Sequence, residues 1–503
     1  MTTTVDSIDP RTAEVRMTVS HTFSADDVRS VCATALEVFE EMRRQPRAWR
    51  TEVLRAMADA LEASRDEIVA AADAETALGP TRLNGELTRT SYQLRLFAEV
   101  VDDGGFLEAT IDHAGPTDMG PRPDLRRMLV PLGPVAVFGA SNFPLAFSVP
   151  GGDTASALAA GCPVVVKVHE SHPQTARLCA EALARGATRA GAPAELVQLV
   201  FGREAGAILA QDPAITAVGF TGSLNGGQAL MRMAADRDVP IPFFGELASP
   251  NPLIVTTAAA AERATEIAEG LVGSFTLGAG QFCTKPGIVL VPAGEAGDAL
   301  MQSAMALVED SQGAVMLNSG IGAAYRTTVA AFANQAGICI STGSDGGEFA
   351  PAPAIFEIPA ADLTDPLLHE CFGPETVVVR YGSNEELLQA LARVPGSLTV
   401  SLHVGAGEVL DRGLLDAAER IAGRVLFNGF PTGVAVAWAQ HHGGPWPSTN
   451  TQHTSVGPTA IRRFLRPMVW QDAPEEALPV ELRKGTIDIP RRVNGTLIVA
   501  GAE

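Results

Sequence analysis

From about residue 132 the chain alternates short β-rich apolar runs with alanine-rich stretches of helical composition, and this rhythm restricts the architecture more than any other feature. Val135 to Phe138 is followed by a helix around Thr154 to Ala160, then Val164 to Val168, a helix around Gln174 to Arg189 and Val197 to Phe201. A further helix, Ala217 to Phe220, a helix around Gln228 to Ala235 and a strand near Phe243 complete the series. A strand joined to a parallel neighbour needs a crossover, so repeated strand–helix units imply a parallel sheet with helices on both faces. Such sheets bind ligands at the carboxyl ends of their strands. The loops to search are therefore Gly139 to Pro144, Lys167 to Pro173 and Thr221 to Gly227.

A chain of 503 residues is too long for one core, and two or three domains are expected. Residues 26 to 74 read as helical, with Val28, Val31, Cys32, Leu36 and Phe39 at helical spacing and a second stripe through Leu54, Met57 and Leu61. A second α/β stretch runs from about 253 to 440, and the Pro- and Gly-rich region 441 to 503 reads as an extended arm. The formal net charge of -21 argues against nucleic acid as a partner, because a polyanion would be repelled. The first residues lack the basic start and apolar core of a signal peptide. No run approaches the roughly 20 apolar residues needed to span a bilayer, so a cytoplasmic protein with no membrane partner is expected. The cysteines, at 32, 162, 179, 283, 339 and 371, form no C-x-x-C pair, and no His cluster has zinc spacing. They read as reduced thiols, most of them small core residues, with no metal site expected. The sequon Asn494-Gly495-Thr496 reads as a chance match.

Four segments carry residue types suited to chemistry. Cys283 lies in Gly278-Ala279-Gly280-Gln281-Phe282-Cys283-Thr284-Lys285, after the helical run Ala264 to Leu277 and before an apolar strand, Ile288 to Val291. Small neighbours let a substrate approach the thiol, and a nearby cation or positive helix end would lower its pKa; a buried structural cysteine is the alternative. Glu246 ends an apolar stretch, where burial would raise its pKa toward the value a general base requires; otherwise it is an exposed loop residue. Asn142, in Gly139-Ala140-Ser141-Asn142-Phe143-Pro144, follows a strand, and its amide can donate to an oxygen that gains charge, although Ser-Asn and Phe-Pro also suit a plain turn. Thr221-Gly222-Ser223 starts a helix whose backbone N–H groups suit a pyrophosphate, but it is not the G-x-G-x-x-G fingerprint.

Together these segments resemble the aldehyde dehydrogenase superfamily over nearly the whole chain. The family's Asn-Phe-Pro turn, its Lys after the next strand, its Phe-Thr-Gly-Ser turn, its Glu-Leu-Gly-Gly motif and its Gly-Gln-x-Cys motif fall in order at Asn142, Lys167, Gly222 with Ser223, Glu246 and Cys283. Its Glu-x-Phe-Gly-Pro motif falls at Glu370 to Pro374. The resemblance implies an α/β fold with a Rossmann-type cofactor domain (1–112 and 132–250), an α/β catalytic domain (251–446) and a β oligomerisation arm (113–131 and 447–503). It also implies NAD(P)-dependent oxidation of an aldehyde to a carboxylate. Cys283 would attack the aldehyde and pass through a thiohemiacetal and a thioester, with the Asn142 amide and the Cys283 N–H as oxyanion donors, each typically worth about 3–4 kcal/mol. Glu246 would activate water. Lys167 would hold the adenosine ribose and Glu370, beside Phe372, the nicotinamide ribose, and assembly would be as a homodimer or homotetramer.

Departures from the common pattern point to a branch. Ser141 replaces a Trp, Glu246-Leu247-Ala248-Ser249 replaces Glu-Leu-Gly-Gly, and the tail carries Gln440-His441-His442-Gly443-Gly444-Pro445-Trp446-Pro447-Ser448 and Arg463-Phe464-Leu465-Arg466-Pro467. These look like α-ketoglutaric semialdehyde (2,5-dioxovalerate) dehydrogenases, and also resemble a related NADP-dependent fatty aldehyde enzyme. By the same resemblance Phe143 and His442 line the substrate pocket, with His442 close enough to tune the thiolate. Lys285 is the candidate cation for a substrate carboxylate by its proximity to Cys283. The branch often uses NADP, yet Glu170, three residues after Lys167, suits the ribose 2′-OH and repels a 2′-phosphate, with Arg203 offsetting part of that repulsion. A CoA-acylating enzyme is disfavoured by Glu246, and a catalytically silent relative by Cys283.

Overall fold

The computed structural model describes residues 3–485 and 488–501. Its first sheet is wholly parallel, in the order Phe243–Glu246, Ala217–Thr221, Val135–Phe138, Val164–Lys167, Val197–Val200. Alternation along these strands divides the core. Val135, Val137, Val164 and Val166 face a cluster with Leu54, Met57, Leu94 and Phe97. Ala136, Phe138, Val165 and Val218 face a second cluster with Val28, Cys32, Ala205 and Leu209. Both faces are covered, which is why the strands read as unbroken apolar runs. The chain winds outward from Val135–Phe138 to Val197–Val200 and then crosses to the other side, so the order reverses between Val135–Phe138 and Ala217–Thr221. That reversal leaves a crevice at the strands' carboxyl ends.

The region expected to be helical from 26 to 74 consists of three helices, Ala25–Met42, Arg47–Ala63 and Arg65–Thr76. The first starts in a capping box, Ser24 with Asp27, and the second follows Pro46. A fourth helix, Pro80–Asp103, has no counterpart in the sequence reading. Proline stands in its first turn and Gly104, left-handed at φ 69°, ends it. It packs along Arg47–Ala63 and supplies Leu83, Leu87, Leu94 and Phe97 to the core.

The second sheet has seven strands, in the order Cys339–Thr342, Ala354–Pro359, Glu375–Tyr381, Ile288–Pro292, Leu253–Val255, Ser397–His403, Ala422–Phe427, and only the first pair is antiparallel. In the third, Leu125–Pro131 pairs with Leu465–Gln471 and with Thr110–Asp112, and Arg491–Val493 and Thr496–Ile498 extend it. Strands from the two segments expected as an arm thus share one sheet, joined by Thr110–Asp112 from just before residue 113. The expected ranges 1–112 and 447–503 include residues 1–2, 486–487 and 502–503, which lie outside the described residues. Among the described residues no helix is long and apolar enough to cross a membrane. All of the cysteines are free; Cys32, Cys162, Cys179 and Cys371 are buried and Cys339 is exposed.

Candidate active site

Cys283 reaches its position through a tight loop. The helix Thr257–Thr276 gives way to Gly278, Ala279 and Gly280, all left-handed at φ 58°, 55° and 67°. At Gly280 a side chain is excluded, because a Cβ there would overlap the Gly373 carbonyl. This close approach holds the Cys283 loop against the Glu370-Cys371-Phe372-Gly373-Pro374 segment. Asn251, left-handed at φ 48° and fully buried, fixes the other flank by donating to the carbonyls of Cys283 (2.7 Å) and Lys285 (3.0 Å).

Glu246 is the last residue of its strand and lies level with Thr221 on the neighbouring one. Its buried carboxylate accepts from Ser455 Oγ at 2.7 Å and lies 2.9 Å from His442 Nε2. An ionised carboxylate only accepts, so the proton in that contact sits on Nε2. The same Nε2 is 3.7 Å from Cys283 Sγ. The donor atoms of Glu246, Cys283 and His442 all lie within 4.8 Å of one another.

The electrostatics of this group reverse two sequence expectations. Burial pushes the Glu246 carboxyl up, but the charge and hydrogen bond of His442, with bonds from Ser455 and Cys283, outweigh it and leave it below the usual carboxylate value. Its pKa is lowered, not raised. Burial pushes the Cys283 thiol well above its ordinary value, and Glu246 and Glu370 add to the shift while Arg89 opposes it. The expected thiolate-stabilising cation does not win. Cys283 rests as a thiol with a carboxylate and an imidazole beside it, so an acceptor for its proton is already in place.

A cavity of about 670 Å³ lies at the carboxyl ends of the first sheet and reaches Cys283 and Glu246. Asn142, Gly222, Ser223, Glu370 and Phe372 line it as well, together with His169. Ser223 caps the helix Leu224–Ala235 by accepting from Gly226 N at 3.3 Å, which aims that helix's amino end toward the cavity. Glu370 accepts from Ser249 N at 3.1 Å, and burial raises its carboxyl to about 7. The Asn142 amide donates to the Gln281 carbonyl at 2.8 Å, tying the Asn142 turn to the Cys283 loop.

The remaining expected residues lie elsewhere. Lys167 and Glu170 pair at 3.4 Å on either side of His169, and Glu170 faces a separate hollow shared with Gly202 and Arg203. Phe143 and His442 are outside the lining of the cavity, and Phe143 stacks edge-on against Phe282. Lys285 does not line the cavity. Its buried ammonium binds the Glu375 carboxylate and the Glu375 carbonyl, the latter at 2.6 Å, so it is the cation of a structural ion pair and not a ligand for substrate. Sequence reading missed Ser455, Asn251 and His169. At Asn251 nothing local shows that a polar side chain will be buried under a loop.

The chain matches the profile of the aldehyde dehydrogenase family over residues 1–467. It is 47% identical over 479 residues to an alpha-ketoglutaric semialdehyde dehydrogenase 2 from Azospirillum brasilense, covering 93% of this chain and 91% of the relative. It is 42% identical over 484 residues to an alpha-ketoglutaric semialdehyde dehydrogenase from Acinetobacter baylyi, covering 94% and 91%. Among solved structures, a proline utilization A mutant from Bradyrhizobium japonicum superposes with a TM-score of 0.77 at 25% identity. The match takes in 90% of this chain but 45% of that longer one. A fold with a parallel cofactor-type sheet, a cysteine and a carboxylate meeting at one cavity, and a profile match through residue 467 agree: the chain is an oxidoreductase that belongs to the aldehyde dehydrogenase family.

Proposed function

We propose that this enzyme oxidises α-ketoglutaric semialdehyde (2,5-dioxopentanoate) to 2-oxoglutarate with NAD(P). The observation that carries the reading is 47% identity across nearly the full length of a relative bearing that activity in its name, with Cys283 and Glu246 on one cavity. The cavity fits the nicotinamide cofactor that this family uses: it lies at the reversal of a parallel sheet, and a capped helix start, Ser223, borders it. Ser223 and Gly222 would hold the pyrophosphate, Lys167 and Glu170 the adenosine ribose, and Glu370 with Phe372 the nicotinamide riboside. When bound, the cofactor supplies the hydride acceptor and a positive charge near the thiol.

The chain's own residues do the rest. The Cys283 sulfur attacks the aldehyde carbon as its proton passes to the Glu246–His442 pair. The Asn142 amide, with one N–H committed to Gln281, has a second to offer the oxyanion, alongside the Cys283 backbone N–H. The thiohemiacetal oxyanion gives up hydride alone to become a thioester, and the proton taken from Cys283 leaves the Glu246–His442 pair for solvent before hydrolysis. Glu246, held at both oxygens by Ser455 and His442, takes a proton from water as it attacks the thioester and releases the acid. The domain division in this reading is 1–112 and 132–250 for the cofactor, 251–446 for catalysis, and 113–131 with 447–503 as an arm whose outer strand, Leu465–Gln471, offers an edge for a homodimer or homotetramer. A cytoplasmic site of action accompanies this reading. The test is kcat/KM on α-ketoglutaric semialdehyde, succinic semialdehyde and a long-chain aldehyde, with each cofactor. Preference for the long-chain aldehyde would replace this reading with a fatty aldehyde dehydrogenase. A C283S variant retaining turnover would refute the chemistry.

A further inference from the structure

The displacement of Lys285 into a structural pair leaves a carboxylate-bearing substrate without its expected cation. A different cation stands near the nucleophile. Arg89, on the helix Pro80–Asp103, lays its guanidinium over the Phe147 ring, 5.0 Å from the centroid. Phe147 packs in turn against the His442 ring at 6.3 Å, and His442 touches Cys283. Glu86, Cys283 and Glu246 are all close enough to act on the charge of Arg89, but among the described residues none of them hydrogen-bonds its Nε or Nη2. Glu86 Oε1 accepts from the backbone of Leu145 and Ala146 at 2.8 and 2.9 Å while its buried Oε2 bonds to neither arginine, and both oxygens of Glu246 are taken.

The nitrogens of Arg89 show what is unmet. Nε and Nη2 are both buried, and among the described residues neither has a hydrogen-bond partner. These two N–H groups form the side-on edge of a guanidinium, the fork that matches the two oxygens of a carboxylate. A buried donor pair without an acceptor is costly, and a charged one more so, unless a ligand supplies the acceptor. Arg82, four residues before Glu86 on the same helix, is no equivalent. Its guanidinium is sandwiched against Phe143 and Phe282 at 5.0 and 4.7 Å, and its Nη2 donates to the Asn142 carbonyl.

We infer that Arg89 is the carboxylate subsite of this enzyme, binding the acid end of an oxo-acid semialdehyde through Nε and Nη2 while the aldehyde carbon meets Cys283. The assignment rests on the substrate reading given above and adds its recognition element. In 2,5-dioxopentanoate the two ends are four bonds apart, roughly 5 Å when extended by standard bond lengths. Recognition from the Phe147 side also keeps the substrate clear of the cofactor cavity, whose lining includes neither Arg89 nor Phe147.

The test compares α-ketoglutaric semialdehyde with pentanal, an uncharged aldehyde of the same chain length, in wild type, R89M and R89K. The readout is the ratio of the two kcat/KM values. R89M is expected to lower that ratio about 100-fold, mostly through KM for the oxo acid, as loss of a charged bidentate contact should. R89K, which keeps charge without the fork, should fall in between. A purely structural role for Arg89 would slow both substrates alike and leave the ratio unchanged, which would overturn the assignment while the substrate reading stands. A wild-type enzyme that shows no preference for the oxo acid would overturn both. Should R89M not fold, R89Q removes the charge with a polar side chain and the same ratio decides.

Discussion

Replacing His442 by leucine should move the acid limb of the pH–rate profile upward. In the wild-type site burial alone would raise the Glu246 carboxyl, and the charge and hydrogen bond of His442 are the largest influences opposing it. H442L removes the Nε2 contact at 2.9 Å and leaves Glu246 with Ser455 as its nearest remaining donor. A hydrogen bond to a charged group is worth about 1.5–3 kcal/mol, so the ionised form of Glu246 loses stabilisation of about that size and its pKa should rise. The sign is fixed by the role of the base. Glu246 acts only when ionised, activity is lost as pH falls through its pKa, and raising that pKa moves the loss to higher pH. The assay is kcat/KM across pH, followed by NAD(P)H formation, with thermal unfolding measured on the same preparations. H442Q, whose amide can still donate to Oε1, should keep the limb near its wild-type position. An acid limb that stays in place in H442L, or moves down, would mean that His442 does not hold Glu246 in its ionised state, and the shared Cys283–His442–Glu246 proton network would have to be abandoned.

Other perturbations separate structural from chemical roles. K285M strips the buried Glu375 carboxylate of its partner and should cost about 3–5 kcal/mol in denaturant unfolding, and an intact stability with selective loss of oxo-acid turnover would reinstate Lys285 as a substrate cation. G280A adds to its left-handed strain, about 1–2 kcal/mol, an overlap with the Gly373 carbonyl, so both stability and kcat should drop; G294A, left-handed at φ 95° but in open space, should show the strain alone. E170Q removes a negative charge 3.4 Å from Lys167 and should raise the NADP-to-NAD ratio of kcat/KM a few-fold. An unchanged ratio would mean that Glu170 does not face the ribose 2′ position.

What could be read from the chain, and what could not, follows from the range of the interactions involved. The strands Val135–Phe138 and Val164–Lys167 were legible because burial on both faces forces unbroken apolar runs, and the crevice followed from their alternation with helices. The helix Pro80–Asp103 escaped because Glu86, Thr90, Ser91 and Gln93 are buried among its apolar residues, so its stripe does not look apolar. Those polar positions are buried for a reason that lies elsewhere in the chain: Glu86 satisfies N–H groups of Leu145 and Ala146, in the turn after Asn142. The same holds for the reactive group. Cys283 and Glu246 were nameable from family motifs, but their proton affinities were predicted with the wrong sign: Glu246 is held down by His442 and Ser455, from a segment about two hundred positions away, and Cys283 is pushed up by burial, Glu246 and Glu370. Proximity in sequence misled in the case of Lys285, two residues from the nucleophile, whose side chain is buried in an ion pair with Glu375. Local pattern fixes where a strand ends and which loop follows it. The charge state of a buried side chain depends on which donors long-range packing brings to it, and only the assembled fold supplies that.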